Sequence, residues 1–395
     1  MAGSIQKSGQ NSWKLTVSCG FDAAGKRVRH TKTVICKSER EARKELALFV
    51  AEIERGQFTG SRKTTLKDFT LIWLRDYAEK QLAPKTLFRY KQILEDRIIP
   101  ALGHLHLDKI KPNHLLSFYN NLTEAGIRKD GKEDRGLSER TILHHHRLIH
   151  TILETAVQWQ YILSNPAGRV KAPKITRKPA AVYDQEQTAA LLAAVESEPI
   201  KYQVIILLAI STGMRQGEIM GLTWKHIDFE KNTIRVEQSA QYLPQKGVFF
   251  KEPKNESSKR LIAIPSSVME FLKHFKKHQA EERLKLGDKW QASDLLFTTW
   301  AGKPMFPNEM SSWFPRFLAK HQLPHLPFHG LRHTSATLLI AEGATATDLS
   351  RRLGHSTTST TMNIYAHSLQ KADTLLAQKM NSILIDSQPK PKGAG

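Results

Sequence analysis

The 395-residue sequence predicts a multidomain α+β protein, and three observations carry that prediction. A short basic segment at the N-terminus alternates apolar and polar residues, as half-buried strands do. About a hundred residues after it place apolar side chains at helical spacing with no alternation. The C-terminal half then mixes a nearly all-apolar helical run with short β-branched stretches. We therefore expect a small β-sheet-plus-helix module at residues 1–62 and a four-helix domain at 63–170. An interdomain linker follows at 171–181, then a mainly α domain with a small β-sheet or hairpin at 182–385, and a disordered tail at 386–395.

Taken in order, residues 13–18 (Trp-Lys-Leu-Thr-Val-Ser) read as one strand and residues 27–36 as a second, with a turn at 22–26 between them. Ser38 with Glu41 three residues on is a capping-box pattern, and Ala42, Leu46, Phe49, Val50 and Ile53 give the helix that follows an apolar face, ending at Gly56. The module holds twelve Lys and Arg against six Asp and Glu, and a basic β-ribbon can enter a DNA groove. A dimerisation or packing module is the bland alternative.

In the helical domain, Leu66, Phe69, Ile72, Trp73 and Tyr77 mark a first helix, and Pro84 starts a second through Leu87, Tyr90, Ile93 and Leu94. Pro112 opens a third, residues 126–136 form an exposed loop, and Ser138 caps a long fourth helix. Lys85, Arg89, Lys91, Arg140 and Arg147 lie off the apolar faces and are candidate phosphate contacts, as are Lys171 and Lys174 in the Pro-rich linker. Consecutive His144, His145 and His146 point in different directions on a helix and cannot converge on one metal. Beyond the linker, Asp184 with Gln187 suits a helix start, and residues 202–211 form a buried helix that delivers the string Thr212-Gly213-Met214-Arg215-Gln216-Gly217-Glu218. Residues 233–236 read as a strand, and residues 248–264 as strands around a turn at 255–258.

Composition narrows the partners. Hydrophobic content of 40% and charged content of 25% are ordinary for a soluble globular protein. No apolar run approaches the ~18–20 residues of a membrane span, and the first residues carry no apolar signal core, so a cytoplasmic protein with no membrane partner is expected. The two cysteines, Cys19 and Cys36, are not spaced as a zinc site. The net charge of +21 points to a polyanionic partner without separating DNA from RNA, or an enzyme from a binder.

The chemistry concentrates in residues 328–367. His329 and Arg332 share one face of a helical turn, His355 follows Gly354 at a helix stop, and Tyr365 comes ten residues later. Cutting a phosphodiester without metal requires a nucleophile, fixed cations for the non-bridging oxygens and an acid for the leaving 5′ oxygen. No carboxylate cluster suits two metal ions and there is no GxxxxGK[ST] loop. His329 and His333 are spaced as a metal pair, but Gly330 stands where a metalloprotease helix has its glutamate. A tyrosine nucleophile, with neither metal nor cofactor, fits what is left.

On the strings containing Arg215 and Glu218, His329-Gly330-Leu331-Arg332-His333-Thr334, Leu353-Gly354-His355-Ser356 and Tyr365-Ala366-His367, the chain resembles a tyrosine recombinase of the phage and conjugative-transposon integrase type. The resemblance implies the tyrosine recombinase fold, with an arm-type DNA-binding module, a core-binding domain and a catalytic domain clamping the duplex. It implies that Tyr365 attacks the phosphate to leave a 3′-phosphotyrosyl link, and that Arg215 and Arg332 grip the phosphate oxygens. His329 would assist proton transfer, His355 would hydrogen-bond the phosphate and Lys254 would protonate the leaving oxygen. Glu218 would support Arg215. Asn255 departs from the family's usual Lys-Thr, and Lys251 and Lys259 stand close enough to compete for the role of Lys254. The partners implied are double-stranded DNA at core and arm sites, a homotetramer in the synaptic complex, an excisionase and a host DNA-bending protein. The C-terminal segment 372–385, with Leu375, Leu376, Met380 and Ile383 at apolar spacing, is expected to pack on a neighbouring protomer. Two alternatives stand beside integration of a mobile element. One is a dimer resolvase of the same chemistry. The other is a non-catalytic helix-turn-helix regulator, because residues 345–365 also have that pattern with Gly354 at the turn.

Overall fold

A computed structural model describes residues 3–21, 25–55, 64–131, 134–175, 180–252, 259–354, 357–359, 361–362, 380 and 384. It divides into two compact units, Met1–Arg177 and Lys178–Gly395.

The first unit begins with a three-stranded antiparallel sheet in the order β1 (Gly3–Lys7), β2 (Ser12–Phe21), β3 (Arg27–Ile35). The sequence led us to expect two strands. The edge strand β1 carries a single apolar side chain facing the core, Ile5, which is too little alternation to read. Leu15 and Val17 on β2 are fully buried against Phe49 of α1 (Glu39–Glu54). The opposite face of the sheet carries Lys14, Arg27, Arg29, Thr31 and Thr33, all exposed. Register sets Lys14 beside Thr33 and Ser18 beside Arg29. Ser38 caps α1 by accepting from the Glu41 N–H, but the Glu41 carboxylate reaches back to the N–H of Lys37, not of Ser38. The expected helix stop at Gly56 lies outside the described residues.

The helical part of this unit starts at α2 (Leu66–Trp73), which runs through a π-helical turn, Leu74–Ala78, into α3 (Glu79–Gln81). In the same way α4 (Pro84–Ile93) runs through Leu94–Ile98 into α5 (Ile99–Leu102). Then come α6 (Pro112–Asn121) and α7 (Glu139–Gln158), the latter capped by Ser138. Their core centres on Trp73, which has no exposed surface and whose indole N–H donates to Thr155 at 3.3 Å. Leu66, Phe69, Leu94, Leu115 and Leu148 pack around it. His145 and His146 are core residues of α7: the Nδ1 of His146 lies 3.1 Å from the Tyr119 hydroxyl.

In the second unit, α8 (Gln185–Val195) opens with a capping box of Asp184 and Gln187. The apolar α9 (Ile200–Thr212) is the element around which this unit's core forms, with Val204, Ile205 and Leu208 buried. After α10 (Gln216–Met220) come β4 (Ile227–Asp228), β5 (Thr233–Val236), β6 (Ser239–Leu243), β7 (Gly247–Lys251) and β8 (Arg260–Ala263). The remainder is helical: α11 (Ser266–Leu286), α12 (Glu309–Lys320), α13 (Gly330–Ala341) and α14 (Ala346–Leu353). Both α11 and α13 pack on α9. No described helix is long and apolar enough to cross a membrane.

One expectation is corrected here. The strands on either side of 253–258 do not pair with each other among the described residues. β7 pairs with β6, closing a hairpin at 244–246, whereas β8 pairs with β5 in a separate sheet ordered β4-β5-β8. β8 turns Arg260 and Ile262 inward and Leu261 and Ala263 outward: Ile262 lies opposite Ile234 of β5 in the core, and Arg260 reaches Glu218 and the carbonyl of Arg352.

Candidate active site

The last turn of α14 is where the site is assembled. A helix C-terminus leaves backbone carbonyls without partners and carries the negative end of the helix dipole. Here three consecutive carbonyls each receive a guanidinium from a different element. Arg260 of β8 donates through Nε to the carbonyl of Arg352 at 2.7 Å. Arg332 of α13 donates through Nη2 to Leu353 at 2.8 Å. Arg215, which caps the N-terminus of α10, donates through Nη2 to Gly354 at 3.1 Å. Arg332 spends another N–H on the carbonyl of Gly213, 2.7 Å away at the end of α9, and so ties two helix ends together. Arg352 itself donates to the carbonyls of Ser211 (2.6 Å) and Ala263 (3.2 Å).

Both helices stop on a left-handed glycine, which is why this convergence is possible. Gly213 has φ of 64° and Gly354 of 67°. A methyl group on Gly213 would come within 2.5 Å of Leu353 Cδ2, and one on Gly354 within 2.9 Å of the Arg260 guanidinium. Glycine is thus required twice over at each stop, for its backbone and for the space.

Glu218 is buried between two of the arginines. It accepts from Arg215 Nη1 at 2.7 Å and Arg260 Nη2 at 2.8 Å, and from the backbone N–H of Arg215 at 3.0 Å. Burial alone would raise its pKa, but the hydrogen bonds and charges of Arg260 and then Arg215 more than offset that and hold the carboxyl below the usual range. His329 sits at the start of α13 with its ring edge-on to His333, centroids 5.1 Å apart. Partial desolvation, then the charges of Arg332 and Arg215, push the His329 imidazole down, so it is neutral near pH 7. The residue retains an exposed outer surface.

The structure therefore brings Arg215, Glu218, His329 and Arg332 together, the histidine within electrostatic reach of the other three. Lys254, His355 and Tyr365 lie outside the described residues, as does nearly all of 372–385. Of the competing lysines, Lys259 pairs with Glu252 at 3.6 Å. Arg260 was not foreseen. Its signal was present in the alternation of β8, which turns a permanently charged side chain inward, where only a partnered charge is tolerated.

The candidate phosphate contacts in the first unit are on its helices and the segment that follows them. Lys85, Arg89, Arg140 and Arg147 are exposed on α4 and α7, and Lys171 and Lys174 are exposed in the irregular segment after them. Lys91 is half-buried and held to Glu79 at 2.7 Å. Arg89 also lines a cleft of about 890 Å³ together with Arg97, Arg128, Lys129 and Arg135.

Comparison with known proteins follows the same division. Residues 181–372 match the Phage integrase family, and residues 65–123 match the Phage integrase, N-terminal SAM-like domain. A "Tyrosine recombinase XerC-like" protein of Caldanaerobacter subterraneus subsp. tengcongensis is 29% identical, over 96% of this chain and 98% of its own length. The ICEBs1 integrase of Bacillus subtilis is 25% identical over 96% of this chain and all of its own. Among solved structures, the Tn1549 transposon integrase in complex with transposon right end DNA superimposes with a TM-score of 0.65. It is 23% identical and covers 80% of this chain and 99% of that one.

Proposed function

The chain belongs to the phage integrase family of tyrosine recombinases, and from that premise we propose that it is the integrase of a mobile element, cutting and rejoining double-stranded DNA through a 3′-phosphotyrosyl link. The observation that carries the site assignment is the convergence of Arg215 and Arg332, 117 positions apart, on adjacent carbonyls at the end of α14. Forked, permanently charged guanidiniums held from behind by carbonyls and by Glu218 meet the non-bridging oxygens of a phosphodiester without reorganising.

In this reading the Tyr365 oxygen attacks phosphorus in line and its proton passes toward His329, whose depressed pKa leaves it free to accept one. The bond from phosphorus to the 5′ oxygen breaks as Lys254 protonates that oxygen, and His355 donates a hydrogen bond to the phosphate. One phosphate ester replaces another, so a second 5′ hydroxyl can reverse the step and reseal a strand with no ATP and no metal. Four protomers act in a synaptic complex on core sites. The uncovered face of the N-terminal sheet, with Lys14, Arg27 and Arg29 among threonines, suits the groove of an arm-type site. An excisionase and a host DNA-bending protein complete the partners.

The test is a DNA duplex nicked beside the cleavage position, so that the short product diffuses away and the covalent intermediate accumulates. The unaltered chain is expected to form an adduct stable to denaturation, and Tyr365→Phe to form none while binding the same DNA. Binding without adduct by the unaltered chain would leave only a DNA-binding protein. Deleting residues 1–62 separates integrase from resolvase: recombination between two unlike sites should be lost, and unimpaired recombination would favour the resolvase.

A further inference from the structure

Of the three arginines that donate to the carbonyls at the end of α14, Arg260 is the one to which the reaction above gives no role. Its side chain is 5% exposed. Its guanidinium lies over Gly354 where a side chain would otherwise stand, and it bridges Glu218 and the carbonyl of Arg352. Arg215 makes the matching bridge from the same carboxylate to the carbonyl of Gly354. Two guanidiniums therefore share one carboxylate at one end and one helix terminus at the other, with the carbonyl held by Arg332 between them. Burying such a charge is costly, and a well-packed apolar side chain of similar volume often serves stability as well or better.

We propose that Arg260 is a positioning residue for strand transfer. It fixes Glu218 and the last turn of α14 in the register at which Arg215 and Arg332 converge, and does not itself touch the phosphate. The inference rests on the strand-transfer reading. Its mechanism is electrostatic as well as steric. Arg260 supplies the largest of the effects that keep the buried Glu218 carboxyl ionised. Without it, burial raises that carboxyl, and a protonated Glu218 no longer holds the Arg215 fork by charge.

This gives a signature that loss of structure alone does not. The rate of covalent adduct formation in a single turnover is measured from pH 5.5 to 9 with the full chain, alongside DNA affinity and thermal midpoint. The variants are Arg260→Met, Arg260→Lys and, as a control on the outward face of the same strand, Leu261→Ala. Arg260→Met is expected to bind DNA nearly as the unaltered chain does, with an adduct rate about 100-fold lower, the scale of a roughly 1 Å misplacement. Its acid limb should move to higher pH by about one unit or more, the scale of losing an adjacent opposite charge. Arg260→Lys should recover part of the rate and of the acid limb, and it carries the same test if Arg260→Met does not fold. Leu261→Ala should match the unaltered chain throughout. Superimposable pH profiles, or a fall in rate explained by a smaller folded fraction or weaker DNA affinity, overturn the proposal. If the unaltered chain itself forms no adduct, the strand-transfer reading fails first and this inference falls with it.

Discussion

At the scale of single residues, His333 shows how far the site's surroundings alter ordinary chemistry. Burial, then the neighbouring charges of His329 and Arg332, push its imidazole from 6.5 down to about 4. Between those values the unfolded chain takes up a proton that the folded unit refuses, so stability falls as pH drops from 6.5 toward 4 and is fully present above that window. His333→Asn should flatten this limb, read as a smaller change in the urea midpoint between pH 7 and pH 4.5; an unchanged slope would contradict the assignment. Residues differ in how openly the sequence displays them. Arg215, His329 and Arg332 sit in short strings whose order and spacing are readable. Arg260 sits in a run that any strand could have, and its meaning lies in which face of β8 it takes. That face is decided by packing on β5, more than twenty residues earlier.

At the scale of elements, the stops of α9 and α14 matter more than the helices themselves. Gly354→Ala must hold a side chain at φ of 67°, which costs about 1–2 kcal/mol, and must also displace the Arg260 guanidinium. A fall in thermal midpoint of about 2–8 °C follows for a unit of this size. The adduct rate should fall further than that loss of stability accounts for, because the methyl group pushes on the residue that holds the cluster. A midpoint and rate equal to those of the unaltered chain would show that the cap is freer than its geometry implies. Helix starts are legible because caps are local chemistry: Ser138 and Asp184 each accept from a backbone N–H three residues on. The π-helical turns at Leu74–Ala78 and Leu94–Ile98 are not, since one extra residue per turn hardly disturbs the apolar spacing over so short a stretch. Strand partners are not legible either. Residues 248–264 look like one hairpin in the sequence, and their division between two sheets is a property of the folded core.

For the whole molecule, the net charge of +21 sets the character of the interaction with DNA. Composition announces a polyanionic partner but not the surfaces that meet it; for the N-terminal module that takes the strand register, which collects Lys14, Arg27 and Arg29 on the face away from α1. Replacing these three by alanine should reduce the dependence of log affinity on log salt by about 0.9 for each phosphate that the module no longer neutralises. The reduction is expected with DNA that carries arm-type sites and not with core-site DNA alone. Equal slopes on both substrates would remove the module from the DNA interface.

The triple capping of α14 also bears on when the protein becomes dangerous to DNA. Arg215, Arg260 and Arg332 come from segments 45 and 72 residues apart along the chain, and none of them is held in place by its own neighbours alone. Contacts of such long range require loop closure before they are rewarded, which slows folding. On the proposed assignment, a chain in which those segments have not met carries Tyr365 but not the arginine cluster that would hold the phosphate. Cleavage on that assignment requires the end of α9, β8 and α13 all to be in place around the end of α14, the same contacts that satisfy that helix end.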